Sequence, residues 1–158
     1  MEAIRSVLSR VATDIEGHAK HLREPKSEEM TQVSVIDIRR AYFNARVSDD
    51  YPVYVELPPD LGAAPGMCGL LKRHMYGTRR AADGWQSEYS TALREMGFEQ
   101  GSASVCVFRH GQKHIVLSVH GDDFTASGPA SALDWFETSM RARYELTVGG
   151  RLGLGEED

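Results

Sequence analysis

The chain has 158 residues, of which 41% are hydrophobic and 26% are charged, the composition of an ordinary globular protein. This length suits one domain that buries a sizeable core. The formal net charge of −5 is unusual for a free-standing nucleic-acid-binding protein, for which a basic surface is expected. Positive charge used for such binding must therefore be local or must come from other segments.

Membrane spans and disulfides are also disfavoured. No run approaches the roughly 18 apolar residues of a membrane span, and Met1–Arg5 lacks the layout of a signal peptide. Cys68 and Cys106 form no Cys-x-x-Cys pair, which excludes a zinc ribbon and argues against a disulfide framework. We expect an intracellular protein, cytoplasmic or nuclear, with no membrane partner.

The first predicted elements are a helix over residues 3–15 and a polar loop that follows it to Met30. Val33–Ile38 is short and β-branched, which is typical of a largely buried strand. Asp37 near its end would then need an ion pair, a hydrogen bond or a metal ion, or it would cap the following turn. Tyr51–Leu57 alternates apolar and polar residues, which predicts a half-exposed strand.

The most basic part of the chain follows. Four Lys or Arg residues lie within the nine positions from Lys72 to Arg80, with Tyr76 and Gly77 between them. Glycine allows a backbone or a base to approach closely, and the positive charges suit phosphates. A solvated charged turn explains the same pattern, and the residues alone do not decide between the two.

The second half of the chain alternates helices with strands. Ala81–Met96 is predicted as a helix, with Trp85 and Tyr89 packed in the core. A β-hairpin is predicted from Val105–Phe108 and His114–Val119.

That hairpin leads into a sharp bend, where Gly121 is followed by Asp122 and Asp123. Beyond the bend, Ser131 is predicted to cap a helix that runs to about Arg143. Tyr144–Val148 alternates as a final strand.

This order of elements predicts an α+β fold, in which an antiparallel sheet carries helices packed on one face. In such a sheet, the end of the strand with Asp37 can lie beside the bend with Asp122 and Asp123. Three clustered carboxylates repel one another unless cations neutralise them, and Mg²⁺ prefers oxygen ligands of this kind. A divalent-cation site is therefore expected at this edge of the sheet.

Five blocks of sequence, in order and with compatible spacing, resemble the reverse transcriptases of copia-type retrotransposons over about residues 3–155. The first catalytic motif of that family is similar to Val35–Asn44, and its Asp-Asp box falls at Val119–Asp123. The blocks between them are Tyr54–Pro59, Leu71–Ala81 with Trp85, and Met96-Gly97-Phe98 with Val107-Phe108.

The resemblance implies the palm of a polymerase with part of the fingers, as a single domain over residues 1–158. Residues 1–30 would be the leading helix and loop, 31–148 the palm core, and 149–158 a Gly-rich acidic tail. The basic upstream part of the fingers, the thumb and the RNase H domain are expected to lie on other polyprotein segments.

The resemblance also implies two-metal nucleotidyl transfer. Asp37, Asp122 and Asp123 would be the catalytic residues and would hold two Mg²⁺ ions, with Mn²⁺ as a substitute and the Ile38 carbonyl as a further ligand. The implied partners are an RNA or DNA template, a DNA primer and deoxynucleoside triphosphates.

Residues around these carboxylates would bind the substrates. Tyr42 takes the family position of a steric gate against a 2′-hydroxyl, and Tyr76 and Gly77 would shape the floor under the incoming base and the template. The full implied set is Ile38, Arg39, Ala41, Tyr42, Tyr76, Gly77, Arg79 and Arg80, with the last two near backbone phosphates.

The sequence departs from the family at several positions. His120 stands where the Asp-Asp box opens with an aromatic residue, Arg80 replaces a Gln, and Ala82 replaces a Pro. One alternative is therefore an inactive palm remnant that at most binds nucleic acid or protein. Another is an unrelated α+β nucleotide-binding enzyme, which explains the Asp cluster but not the ordered blocks with Tyr42 and Tyr76.

Overall fold

The computed structural model describes residues 31–153 and, ahead of them, Arg5, Leu8 and Ser9, which are helical. The rest of the predicted leading helix and loop lies outside the described residues, as do residues 154–158 of the acidic tail. The chain divides into two compact units, of which one comprises Met1–Arg39 with Ala92–Asp158 and the other comprises Arg40–Thr91.

Eight strands and two longer helices follow one another in the described ranges. They are β1 (Thr31–Ile38), β2 (Tyr54–Glu56), β3 (Cys68–Leu70), α1 (Ala81–Glu95), β4 (Glu99–Gln100), β5 (Val107–His110), β6 (Ile115–His120), β7 (Asp123–Pro129), α2 (Ala130–Arg141) and β8 (Leu146–Leu152). Short 3-10 helices cover Ala41–Asn44 and Pro59–Leu61.

The first unit is built on a six-stranded sheet with the strand order β4-β5-β6-β7-β1-β8. Every neighbouring pair in this sheet is antiparallel. Because consecutive strands β4 to β7 are joined by short turns, they form a meander, whereas β1 inserts between β7 and β8. The predicted antiparallel α+β fold is confirmed.

Apolar side chains on one face of this sheet form the core of the unit. In β6 the alternate residues Ile115, Leu117 and Val119 are at most 2% exposed, as the period of two along a strand requires. Helix α2 packs on β7 and β1 and buries Leu133 and Phe136 from one side of its surface. Each such side chain contributes roughly 1.5–3 kcal/mol of burial free energy.

The start of α2 differs from the prediction. The N-cap is Pro129, with φ −59° and ψ 147°, and no side chain caps the helix. Ser131 lies inside the first turn and is exposed, so the predicted Ser131 cap is wrong. Because the ψ of Pro129 is extended, this residue lies outside the helix, which begins directly after it at Ala130.

The final strand is also longer than the predicted Tyr144–Val148. β8 runs to Leu152 and shifts its register against β1 between Ser34 and Ile36. Gly150, with φ 103°, adopts a backbone conformation that other residues rarely take. The glycines therefore continue the strand through an irregularity, where the sequence pattern indicates its end.

Arg151 fixes the far end of β8 to α2. Its guanidinium contacts Asp134 at 2.6 Å and Glu137 at 3.0 Å, and Glu137 also accepts a 2.7 Å hydrogen bond from the buried Ser34 hydroxyl of β1. Burial lowers the pKa of Arg151, but its hydrogen bonds to Glu137 and Asp134 outweigh this effect and raise it.

The second unit contains a two-stranded antiparallel ribbon of β2 and β3 and most of α1. The predicted strand Tyr51–Leu57 is shortened to β2, and β3 was not predicted. In α1 the buried rings of Trp85 and Tyr89 meet edge to face with centroids 5.6 Å apart, which confirms their predicted place in the core.

Within the described part of the chain, no helix is both long and apolar enough to cross a membrane.

Candidate active site

The bend between β6 and β7 is a two-residue hairpin loop. His120 at the end of β6 pairs with Asp123 at the start of β7, leaving Gly121 and Asp122 as the loop residues. Gly121 has a φ of 64°, and glycine is favoured at such a loop position because it adopts positive φ without a steric penalty. The loop therefore places two consecutive carboxylates at the edge of the sheet.

A row of polar residues crosses four strands at this edge. Asp123 pairs with His120 on one side and with Asp37 of β1 on the other, and Asp37 pairs in turn with Thr147 of β8. All four residues are exposed. Because Asp37 is exposed, its carboxylate does not need an ion pair, a hydrogen bond or a metal ion to compensate for burial.

Asp37 and Asp123 occupy a closely spaced position of the ladder. The backbone N–H of Ile38 donates a 3.0 Å hydrogen bond to the carbonyl of Asp122, so the preceding pair, Asp37 and Asp123, is a non-hydrogen-bonded pair. In antiparallel sheets the Cα atoms of such pairs lie about 4.5 Å apart and their side chains approach most closely. The structure thus brings Asp37, Asp122 and Asp123 into two adjacent rungs.

The charges at this edge are not neutralised by neighbouring cations. Among the described residues, none of these three carboxylates has an ion-pair partner; the nearby Arg39 contacts Glu145 at 2.6 Å instead. Like charges directly opposite one another on a sheet are destabilising. A bound cation would relieve this repulsion.

The donor set fits a hard divalent cation in type, because all three side chains are carboxylates. No three His, Cys, Asp or Glu side chains among residues 31–153 converge closely enough to hold a metal ion by themselves. Mg²⁺, however, is commonly bound by one or two protein carboxylates together with waters and substrate phosphates. Asp37, Asp122 and Asp123 supply oxygen donors of this type.

The predicted substrate residues fall in both units. Ile38 and Arg39 belong with the three carboxylates to the first unit. The second unit holds Ala41, Tyr42, Tyr76, Gly77, Arg79 and Arg80.

Tyr42 lies in the 3-10 helix Ala41–Asn44, which follows Arg40 in the left-handed conformation with φ 53°. Its half-buried ring meets Tyr76 edge to face, with centroids 4.4 Å apart, while the more exposed ring of Phe43 lies 6.0 Å from Tyr76. Ala41 is fully buried. These contacts form a small aromatic cluster of Tyr42, Phe43 and Tyr76.

The basic segment turns sharply at Gly77, which has φ 84°. Thr78 donates its hydroxyl to the Met75 carbonyl at 2.8 Å and closes this turn just ahead of α1. Arg79 and Arg80 are exposed. The Arg80 guanidinium lies 3.7 Å from the ring centroid of Tyr51, a cation–π contact that orients it.

Two features of the second unit escaped prediction. Arg46 forms an isolated antiparallel bridge with Arg73, and His74 packs against Gly84 of α1, where an added Cβ would overlap the imidazole. The first contact joins residues 27 positions apart and the second joins residues 10 positions apart. No local periodicity or motif signals such a pairing.

Known proteins match the region of the chain that contains the five sequence blocks. The family model described as reverse transcriptase (RNA-dependent DNA polymerase) matches residues 20–153. Two Saccharomyces cerevisiae proteins, the transposon Ty1-LR3 and Ty1-PR1 Gag-Pol polyproteins, are each 28% identical over 127 residues, which cover 80% of this chain and 7% of theirs. The truncated transposon Ty1-A Gag-Pol polyprotein of the same organism is 27% identical over 127 residues, or 10% of its length.

This chain thus spans only a small part of the curated relatives that it matches. The matches confirm the resemblance to copia-type retrotransposon reverse transcriptases. Because the family model covers most of the sequence, from before β1 to the end of β8, the chain belongs to the reverse transcriptase (RNA-dependent DNA polymerase) family.

Proposed function

We propose that this chain is the palm portion of a copia-type RNA-directed DNA polymerase and that it carries the acidic site for nucleotidyl transfer onto a DNA primer. The observation that carries the proposal is the cross-strand pairing of Asp37 with Asp123, with Asp122 on the next rung. The family match supports the same chemistry.

In this proposal Asp37, Asp122 and Asp123 hold two Mg²⁺ or Mn²⁺ ions, and the Ile38 carbonyl is a further oxygen donor. Bound divalent cations lower the pKa of a primer 3′-hydroxyl and neutralise the triphosphate and the leaving pyrophosphate. The carboxylates would position those charges at the exposed end of the sheet where β1 ends and β7 begins, and a template–primer duplex and a deoxynucleoside triphosphate would have access there.

The aromatic cluster would contact the incoming nucleotide. Tyr42 is proposed as the steric gate that rejects a 2′-hydroxyl, and the edge-to-face contact with Tyr76 restrains its ring. Gly77 allows a base or a template backbone to approach closely. Arg39, Ala41, Arg79 and Arg80 complete the proposed substrate contacts.

Primer extension on an RNA template, with the polyprotein that contains this chain, tests the activity. We expect Asp122→Asn to lower incorporation at least about 100-fold, since metal ions supply several kcal/mol of transition-state stabilisation. Asp60→Asn, the same change at an exposed carboxylate of the second unit, should leave incorporation unchanged. An inactive wild-type polyprotein would favour the inactive-remnant alternative.

The same assay with ribonucleotides tests the gate. Tyr42→Ala should accept ribonucleoside triphosphates, whereas Tyr42→Phe, which keeps the ring, should still discriminate against them. Equal discrimination by Tyr42→Ala and the wild-type protein would refute the role of Tyr42.

A further inference from the structure

A second like-charged pair lies in the second unit, formed by Arg46 and Arg73. The backbone N–H of Val47 donates to the Lys72 carbonyl at 3.2 Å, and that of His74 donates to the Ala45 carbonyl at 2.9 Å. These two hydrogen bonds flank the bridge between Arg46 and Arg73. The two arginines are therefore a non-hydrogen-bonded pair, with their side chains at the closest cross-strand spacing.

Two cations in this position repel each other. Like charges directly opposite one another destabilise an antiparallel pair, and both arginines are exposed. Across the described ranges, no carboxylate forms an ion pair with either. Arg73 donates through Nη1 to the carbonyl of Asn44, which holds its guanidinium against the strand that carries Arg46.

The surroundings of the pair favour an anionic strand. Lys72 adds a third exposed cation beside Arg73. Asn44, the acceptor for Arg73, directly follows Phe43, whose ring is 46% exposed and lies 6.0 Å from that of Tyr76. Exposed cations beside exposed aromatic rings are a combination that suits single-stranded nucleic acid, because phosphates meet the cations and bases stack on the rings.

We propose that Arg46 and Arg73 together bind a backbone phosphate of a polynucleotide strand. The choice of ligand class rests on the proposed polymerase function, while the site itself rests on the arginine pairing. Guanidinium groups bind phosphate oxygens through paired hydrogen bonds. An anion shared by both groups replaces their repulsion with two attractive contacts.

The test uses the full chain and a labelled oligodeoxythymidine of about 20 nucleotides, a length that exceeds a typical single-strand site, with binding followed by fluorescence anisotropy in EDTA. Arg46→Glu should weaken binding at least about tenfold. The negative slope of log K against log salt should become less steep by about 0.7, the value for one lost phosphate contact. The same substitution should raise the Tm of the free protein, because a Glu–Arg pair replaces an Arg–Arg pair.

A higher Tm together with a lower strand affinity in Arg46→Glu would show that Arg46 serves binding and not folding. Arg141→Glu, the same charge change at an exposed position of α2, should leave the affinity within about twofold, as expected for a site without a phosphate contact. Arg46→Gln should show the affinity loss without the added ion pair. Unchanged binding by both Arg46 variants, or no strand binding by the wild-type chain at low salt, would overturn the proposal.

Inorganic tripolyphosphate serves as the second probe, because a free triphosphate offers the same chemistry. If it raises the Tm of the wild-type chain but not of Arg46→Glu, while strand affinity stays equal in both, the pair holds a free triphosphate and the strand assignment is wrong. Repeating the strand titration with Asp122→Asn distinguishes the two proposals. If Asp122→Asn abolishes polymerase activity but leaves strand binding unchanged, the acidic site and the arginine pair have separate roles.

Discussion

At the scale of single residues, the acidic edge is organised around repulsion. Asp37 and Asp123 face each other at a non-hydrogen-bonded position of the β1–β7 ladder, where like charges typically destabilise a sheet by about 0.2–1 kcal/mol. The neutral Asn would keep nearly the same shape and relieve the repulsion. Local instability of this kind is expected where a residue serves binding rather than folding.

Asp37→Asn should therefore have opposite effects without and with metal. In EDTA we expect its Tm to rise by about 0.4–4 °C, since 1 kcal/mol corresponds to about 2–4 °C for a chain of this size. Millimolar Mn²⁺ should raise the Tm of the wild-type protein by mass action and leave that of the variant unchanged. Asp60→Asn should respond to Mn²⁺ as the wild-type protein does. A full Mn²⁺ response in Asp37→Asn would remove Asp37 from the site.

At the scale of elements, α1 contains a glycine that its helix propensity disfavours. Glycine inside a helix costs about 1 kcal/mol relative to alanine, yet Gly84 lies in the second turn of Ala81–Glu95. Its missing Cβ leaves the space that the His74 imidazole occupies, and His74 is only 5% exposed. The glycine therefore allows the basic segment and the helix to pack closely.

Gly84→Ala should destabilise the protein by about 1–3 kcal/mol through overpacking, despite the better helix propensity of alanine. In a His74→Ala background the overlap is absent, and the same Gly84→Ala change should become neutral or stabilising by up to about 1 kcal/mol. Chemical denaturation of the four proteins of this double-mutant cycle measures both signs. A stabilising Gly84→Ala in the wild-type background would contradict the packing argument.

At the scale of the whole molecule, the first unit is stabilised by contacts between β1 and β8, the first and last strands of its sheet in sequence. The two strands pair directly. Arg151 on β8 binds Asp134 and Glu137 of α2, and Glu137 also holds the buried Ser34 of β1. This network links β1 to α2 and β8, with Ser34 and Glu137 103 residues apart in sequence, so its loss should affect global unfolding.

Arg151→Ala should lower the free energy of unfolding by about 1–3 kcal/mol, because it leaves the part-buried Glu137 without its cation. The control is Arg39→Ala: the Arg39–Glu145 pair has side chains 60% and 64% exposed, and exposed pairs contribute at most about 1 kcal/mol. Urea denaturation measures both. Equal effects of the two substitutions would show that the network adds nothing beyond a surface pair.

Local pattern was sufficient for much of the fold. Val33–Ile38 and His114–Val119 were predicted as strands from their β-branched residues, and Trp85 and Tyr89 as core residues from helical spacing. Two local features were mispredicted or missed. The N-cap of α2 is Pro129 and not Ser131, and β3 has three residues, too few for a periodic signal.

By itself, the sequence determined the family and the chemical groups available, because motifs such as Asp122-Asp123 and Tyr76-Gly77 are carried by adjacent residues. Only the tertiary structure decided which groups face one another. Asp37 meets Asp123, and Arg46 meets Arg73, through backbone hydrogen bonds between segments that are separated in the chain. A slip of one residue in the register of these hydrogen bonds would turn each side chain to the other face, so these pairings depend on contacts between segments that are separated in the chain.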